Sequence, residues 1–85
     1  MKKIDFEKIP IKDIDGNVLP CDVRKVVGNT LFNMADDVAE WELGVKIYNS
    51  VGEVEISEKD VQIIMKFAGF FKYVLRHALT DAMKG

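Results

Sequence analysis

The stretch FAGFFKYVLRHAL, Phe67 to Leu79, sets the tightest limit on what this chain can become. Wound as a helix, it is apolar around most of its circumference. Such a helix needs neighbours on more than one side, and a chain of 85 residues has few to offer. Domains of this size bury only about 60–65% of the surface their unfolded chains expose. Either the remaining elements wrap this segment or another molecule covers part of it.

The spacing predicts one long helix over 58–83, with Val61, Ile64, Met65, Ala68, Leu75, Leu79 and Ala82 along a core stripe at three- and four-residue steps. Phe67, Phe70, Phe71, Val74 and Ala78 form a second apolar set on adjoining and partly opposite faces. Each exposed phenylalanine forfeits about 2 kcal/mol of burial, and large exposed apolar patches are uncommon in monomers. Phe67, Phe70, Phe71 and Val74 are therefore expected to form a contact surface for self-association or for another protein. The competing reading is that the other elements enclose this helix as the hydrophobic centre of a monomer.

Upstream, apolar and polar residues alternate from Ile4 to Leu19, and Asp15-Gly16 supplies the positive-φ turn that tight hairpins require. This predicts a hairpin over 4–19, with Pro10 at an edge or ahead of the strand because it has no N–H to donate. Pro20 and Asp22 suit a helix start, and Val23, Val26, Val27, Leu31 and Met34 recur at helical spacing, giving a helix over 22–35. Asp36 or Asp37 can cap a second helix, 37–51, with Trp41, Val45 and Tyr48 on one stripe and Gly52 at its end. Glu53 to Ile56 alternates as a short strand, and Ser57 with Asp60 reads as a capping box for the last helix. The expectation is a single α+β domain over 1–85: an N-terminal β-hairpin and a short third strand packed on three helices, the C-terminal one longest.

Charge is divided along the chain. Residues 36–60 carry eight acids against Lys46 and Lys59, whereas Lys66, Lys72, Arg76 and Lys84 outnumber Asp81 beyond residue 60. Opposed charges of this kind orient docking, so Lys66 and Arg76 on one side and Asp36, Asp37 and Glu40 on the other join the expected interaction surface. A net charge of −2 argues against general binding to nucleic acid, which draws on clustered Lys and Arg. The helix pair 22–35 and 37–51 could be read as helix-turn-helix, but its second helix opens with carboxylates where DNA calls for donors and cations.

Candidates for chemistry are sparse. Cys21 is the only cysteine, which excludes an intrachain disulfide and points to a reducing cytoplasm. His77 is the only histidine, and Asp81 one turn on makes half a metal site at most. The acids near residue 40 follow no calcium-loop spacing, and the glycines form no phosphate-cradling loop. The reading is of a non-enzymatic protein with no cofactor, no metal and no small-molecule ligand. The N-terminus turns acidic before any apolar core of a signal peptide, and no apolar run is long enough to span a bilayer.

With PIKDIDGN at 10–17 and WELGVKIYNSVGEVEISEKDVQIIMKFAG at 41–69, the order of features resembles small uncharacterised proteins of tailed bacteriophages and prophages. That family combines a proline-led hairpin with a D-G turn, a short helix, a helix ending like L-A-x-K-I, a V-x-I strand, and a helix opening S/T-x-E/K-D/E. LGVKI, 43–47, stands at the third of these and departs from it at Gly44 and Val45. The resemblance implies a phage-derived protein in a bacterial host cell, a virion-assembly or accessory factor acting through protein contacts, and it carries over no catalytic residues. The alternative is a small prophage regulator that binds another protein or, failing that, DNA.

Overall fold

Two antiparallel strand pairs and four helices make up the computed structural model, which describes residues 2–84. In chain order they are β1 (Lys2–Asp5), β2 (Ile9–Lys12), β3 (Val18–Cys21), α1 (Arg24–Met34), α2 (Val38–Tyr48), β4 (Glu53–Ile56), α3 (Glu58–Lys66), a 3₁₀ turn at Ala68–Phe70, and α4 (Tyr73–Lys84). The class is α+β, with the longest helix at the C-terminal end.

The alternation from Ile4 to Leu19 is not one hairpin. β1 leaves its sequence neighbours and pairs with β4, Ile4 opposite Val54 and Lys2 opposite Ile56. The hairpin proper is β2–β3, with Ile9 opposite Cys21 and Pro10 opposite Pro20. Both prolines are tolerated because each strand of a two-stranded sheet keeps one outward edge whose N–H groups need no partner. The connection turns where Asp-Gly promised: Gly16 has φ +86°, and the Asp13 carboxylate accepts the Asp15 and Asn17 N–H groups, each at 2.9 Å.

α1 starts two residues later than the sequence suggests, since Pro20 belongs to β3. Asp22 does not cap it by accepting from the first turn in the usual way; its carboxylate holds the Arg24 N–H at 3.1 Å and the Arg24 guanidinium at 2.8 Å. That contact keeps the Asp22 carboxyl below its ordinary range. Local capping elsewhere follows the sequence. Asp37 accepts the Glu40 N–H at 2.9 Å to start α2, and Ser57 and Asp60 exchange both bonds of a capping box at 3.1 Å to start α3. Gly52 is the exception: the second helix stops at Tyr48 with Asn49 as its cap, and Gly52, at φ +66°, lies beyond it just ahead of β4 and donates its N–H to the Glu7 carboxylate at 2.7 Å.

The predicted helix 58–83 is broken. α3 ends at Lys66 with Phe67 as its cap, the Phe70 N–H bonds back to the Phe67 carbonyl at 3.0 Å, and Phe71 is extended before α4 begins. A straight rod of 26 residues would run about 39 Å, carrying its second half away from so small a core. The bend instead lays α4 back against β2 and β1. Gly69 sits in it with no atom near the place a Cβ would occupy.

The bend also redistributes the apolar residues. One core gathers Phe6, Ile9, Val27, Leu31, Ile47, Ile56, Ile64 and Leu79, all fully enclosed, and Phe67 and Phe71 join them at 3% and 6% exposure. Met65, assigned to the core stripe, points outward, while Ile63 is buried. Phe67 and Phe71 are thus core side chains and leave the expected contact surface.

Candidate interaction surface

What remains of the aromatic excess lies on the turn into α4 and on its first coil. Phe70 is 62% exposed, Tyr73 is 68% exposed, and Val74 is half-exposed. Beside α4 runs the β2–β3 hairpin. Pro10, Lys12 and Val18 on one wall and Tyr73, Val74 and His77 on the other bound a groove of about 410 Å³. The four side chains Phe70, Tyr73, Val74 and Val18 together present roughly 400 Å² of apolar surface, in the range of the functional patches found on small monomers.

The rim of this face is basic. Lys72 is exposed, and the Arg76 guanidinium lies 5.3 Å from the centre of the Tyr73 ring, a cation–π contact that holds both side chains in place. His77 Nδ1 is 3.3 Å from Asp81 Oδ2 across one turn, a contact that is an ion pair only when the imidazole carries a second proton. Of the expected surface residues, Phe70, Val74 and Arg76 meet here. Tyr73 and Val18 belong with them; the sequence gives no sign of it, since Tyr73 follows Lys72 off the apolar stripe and Val18 lies more than fifty residues away.

Lys66, Asp36 and Glu40 come together elsewhere and are engaged with one another. Lys66 Nζ reaches Glu40 Oε2 at 2.7 Å and Asp36 Oδ2 at 3.2 Å, and Glu40 Oε1 accepts the Asp36 N–H at 2.8 Å. Glu40 is buried, so this cluster clamps the α1–α2 turn to the end of α3 rather than reaching for a partner. The hydrogen bonds that Lys66 donates, first to Glu40 and then to Asp36, raise its pKa above the ordinary lysine value. A raised folded pKa contributes stability that is fully present below the unfolded lysine pKa and fades as pH climbs through the folded one. On the lysine side the clamp therefore holds through the neutral range and weakens in strong alkali.

A second exposed apolar face lies on the α1–α2 pair. Gly28 and Gly44 sit where these helices cross, and a Cβ on either would fall 2.9 Å from the other's carbonyl oxygen. The glycines allow the backbones to touch and form the floor of a cleft of about 200 Å³, walled by Phe32, Val45 and Tyr48 with Asn29 and Asn49 at its edge. Phe32 continues into a second hollow shared with Val38 and Trp41, and its ring stacks tilted on Trp41 at 5.5 Å. Asp36 and Asp37 line the far end. The stripe Trp41, Val45, Tyr48 was legible as a helical face, but not that it would point outward.

Among the described residues no three His, Cys, Asp or Glu side chains converge in a way that could hold a metal ion, and no helix is long and apolar enough to cross a membrane. Cys21 lies half-buried in β3. Comparison with protein-family models, with curated proteins and with solved structures finds no match.

Proposed function

We propose that this chain is a non-enzymatic interaction protein that self-associates through the face formed by Phe70, Tyr73, Val74 and Val18. The observation that carries this reading is the exposure of two aromatic rings and a valine beside Val18, over a formed groove with a basic rim. Water contact there forfeits burial free energy that a partner would restore. The resemblance of the sequence to small tailed-phage and prophage proteins supplies the setting: an accessory or virion-assembly factor in the cytoplasm of a bacterial host.

Phe70→Glu tests the reading. The side chain leaves the core intact, so the variant should keep a cooperative melt while its association constant drops at least about 30-fold, the equivalent of one lost phenylalanine burial. Sedimentation velocity of variant and wild type at matched micromolar concentrations reads the difference. An unchanged oligomer would remove Phe70 from the interface and with it the proposed face. Co-purification from infected or induced cells addresses the setting: structural phage proteins should come down with an assembly factor, whereas their absence alongside a bound regulatory protein would contradict that role.

A further inference from the structure

The α4 face and the α1–α2 face differ in charge, and that difference says how copies meet. If two α4 faces met, each would bring Lys12, Lys72 and Arg76 towards a face with the same three cations and a groove lined by one acid, Asp81, so that two surfaces of the same net sign would be joined. If two α1–α2 faces met, each would bring Asp37 and the Lys66 cluster, whose two carboxylates outweigh its one ammonium, against the same net negative charge at the end of the hollow lined by Phe32, Val38 and Trp41. Like-charge juxtaposition disfavours both pairings, whereas one face of each kind brings the basic rim to the acidic end.

Size and shape agree with the mixed pairing. The 200 Å³ cleft over the glycine crossing is below the 300–1,000 Å³ usual for small-molecule sites, so it suits one large side chain. Its lining carries no charge, its walls are Phe32 and Tyr48, and the side-chain amide of Asn29 stands at the rim. An exposed aromatic of α4 is the right chemistry for it, and Tyr73 can offer its hydroxyl to the amide while its ring enters between the walls. The two helices also match in reach, since α2 with 11 residues and α4 with 12 extend about 16 and 18 Å. The exposed apolar parts of the two faces sum to roughly 900 Å², which with a polar rim approaches the ~1,600 Å² of a standard stable interface.

Resting on self-association as proposed above, we infer that the contact is head-to-tail: the exposed face of α4 of one copy lies in the α1–α2 groove of the next, with Lys72 and Arg76 directed to Asp37 and the net negative end of the hollow beside it. Each subunit then uses both faces, and the assembly either closes as a ring or grows as a filament.

Two single variants and their mixture decide this. Phe70→Glu spoils the α4 face, and Trp41→Glu spoils the groove; both side chains are largely outside the core, and a cooperative melt by circular dichroism confirms each fold. Should Trp41→Glu melt without cooperativity, Val38→Glu takes its place, at a more exposed site in the first turn of α2 where an acid is compatible with the helix dipole. The expected result is that each variant alone sediments as a single chain while an equimolar mixture forms a dimer and nothing larger, because each copy retains the face the other lacks. An oligomer formed by the groove variant alone, or a mixture that stays monomeric, overturns the head-to-tail contact while leaving self-association standing where wild type associates. A wild type that is itself monomeric throughout overturns both.

Discussion

Phe6→Ala should cost about 3–5 kcal/mol, the largest loss expected from any single truncation in this chain. Phe6 occupies the turn between β1 and β2 and has no exposed surface. Its carbonyl accepts the Val23 N–H at 2.8 Å just ahead of α1, and the next residue, Glu7, receives the Gly52 N–H and lies 3.7 Å from Arg24. The ring thus fills the space where the two sheets and the start of α1 converge, and no neighbour is free to collapse into the hole. At about 0.05–0.15 kcal/mol per residue, a domain of this length has about 4–13 kcal/mol in total, so the variant would retain at best a modest margin. Thermal unfolding should show a fall of roughly 12–40 °C in Tm or loss of the cooperative transition. A fall of less than about 4 °C would mean that the ring is not the centre of the core.

Gly44→Ala should destabilise although alanine is the better helix former. Propensity favours the substitution by about 1 kcal/mol. Against it, the new Cβ would lie 2.8 Å from the Phe32 backbone nitrogen and 2.9 Å from the Gly28 carbonyl oxygen, atoms that move only if the helices part. Overpacking costs about 1–3 kcal/mol, and contacts this close to backbone atoms belong to the upper part of that range, about 2–3 kcal/mol, so the clash wins and the net loss is about 1–2 kcal/mol. Gly28→Ala meets Tyr48 Cβ at 2.8 Å and the Gly44 oxygen at 2.9 Å, and should behave alike. The two substitutions relieve each other, because helices already parted by one methyl have room for the second; in urea melts the double variant should lose less than the sum of the single losses. Gly69→Ala is the control, since nothing stands within 4 Å of its added Cβ. Stabilisation by Gly44→Ala would show that the crossing is looser than the structure has it.

The features legible in the sequence were those enforced locally. Asp15-Gly16 turned because glycine alone meets positive φ without strain, Asp37 capped α2, Ser57 and Asp60 closed a capping box, and Glu53 to Ile56 formed a strand. What the sequence hid depended on distant partners. β1 lies about fifty residues from β4, and its alternation fits a local hairpin equally well. The bend at Phe67–Lys72 left the helical period almost undisturbed, since Ile64, Phe67, Phe71, Leu75 and Ala78 would share a face in a straight rod too; only the size of the core rules the rod out. Half of the expected surface lies elsewhere: Phe67 and Phe71 point inward on the side of Ile64 and Leu75, and Lys66 is held by Glu40 and Asp36, while Phe70, Val74 and Arg76 are outside with Tyr73. The cleft on α1–α2 was invisible because single glycines in a helical pattern reveal nothing about which helix they will touch.

All of the functional reading follows from apolar surface that this fold leaves in water at the start of α4 and along α1–α2. Sedimentation equilibrium of the unaltered protein from low to high micromolar concentration, at low and then at raised salt, tests it most directly. The weight-average mass should rise above that of one chain as concentration increases, and the rise should shrink with salt as the opposed charges are screened. A mass that stays at one chain across the whole range and at both salt concentrations would contradict it.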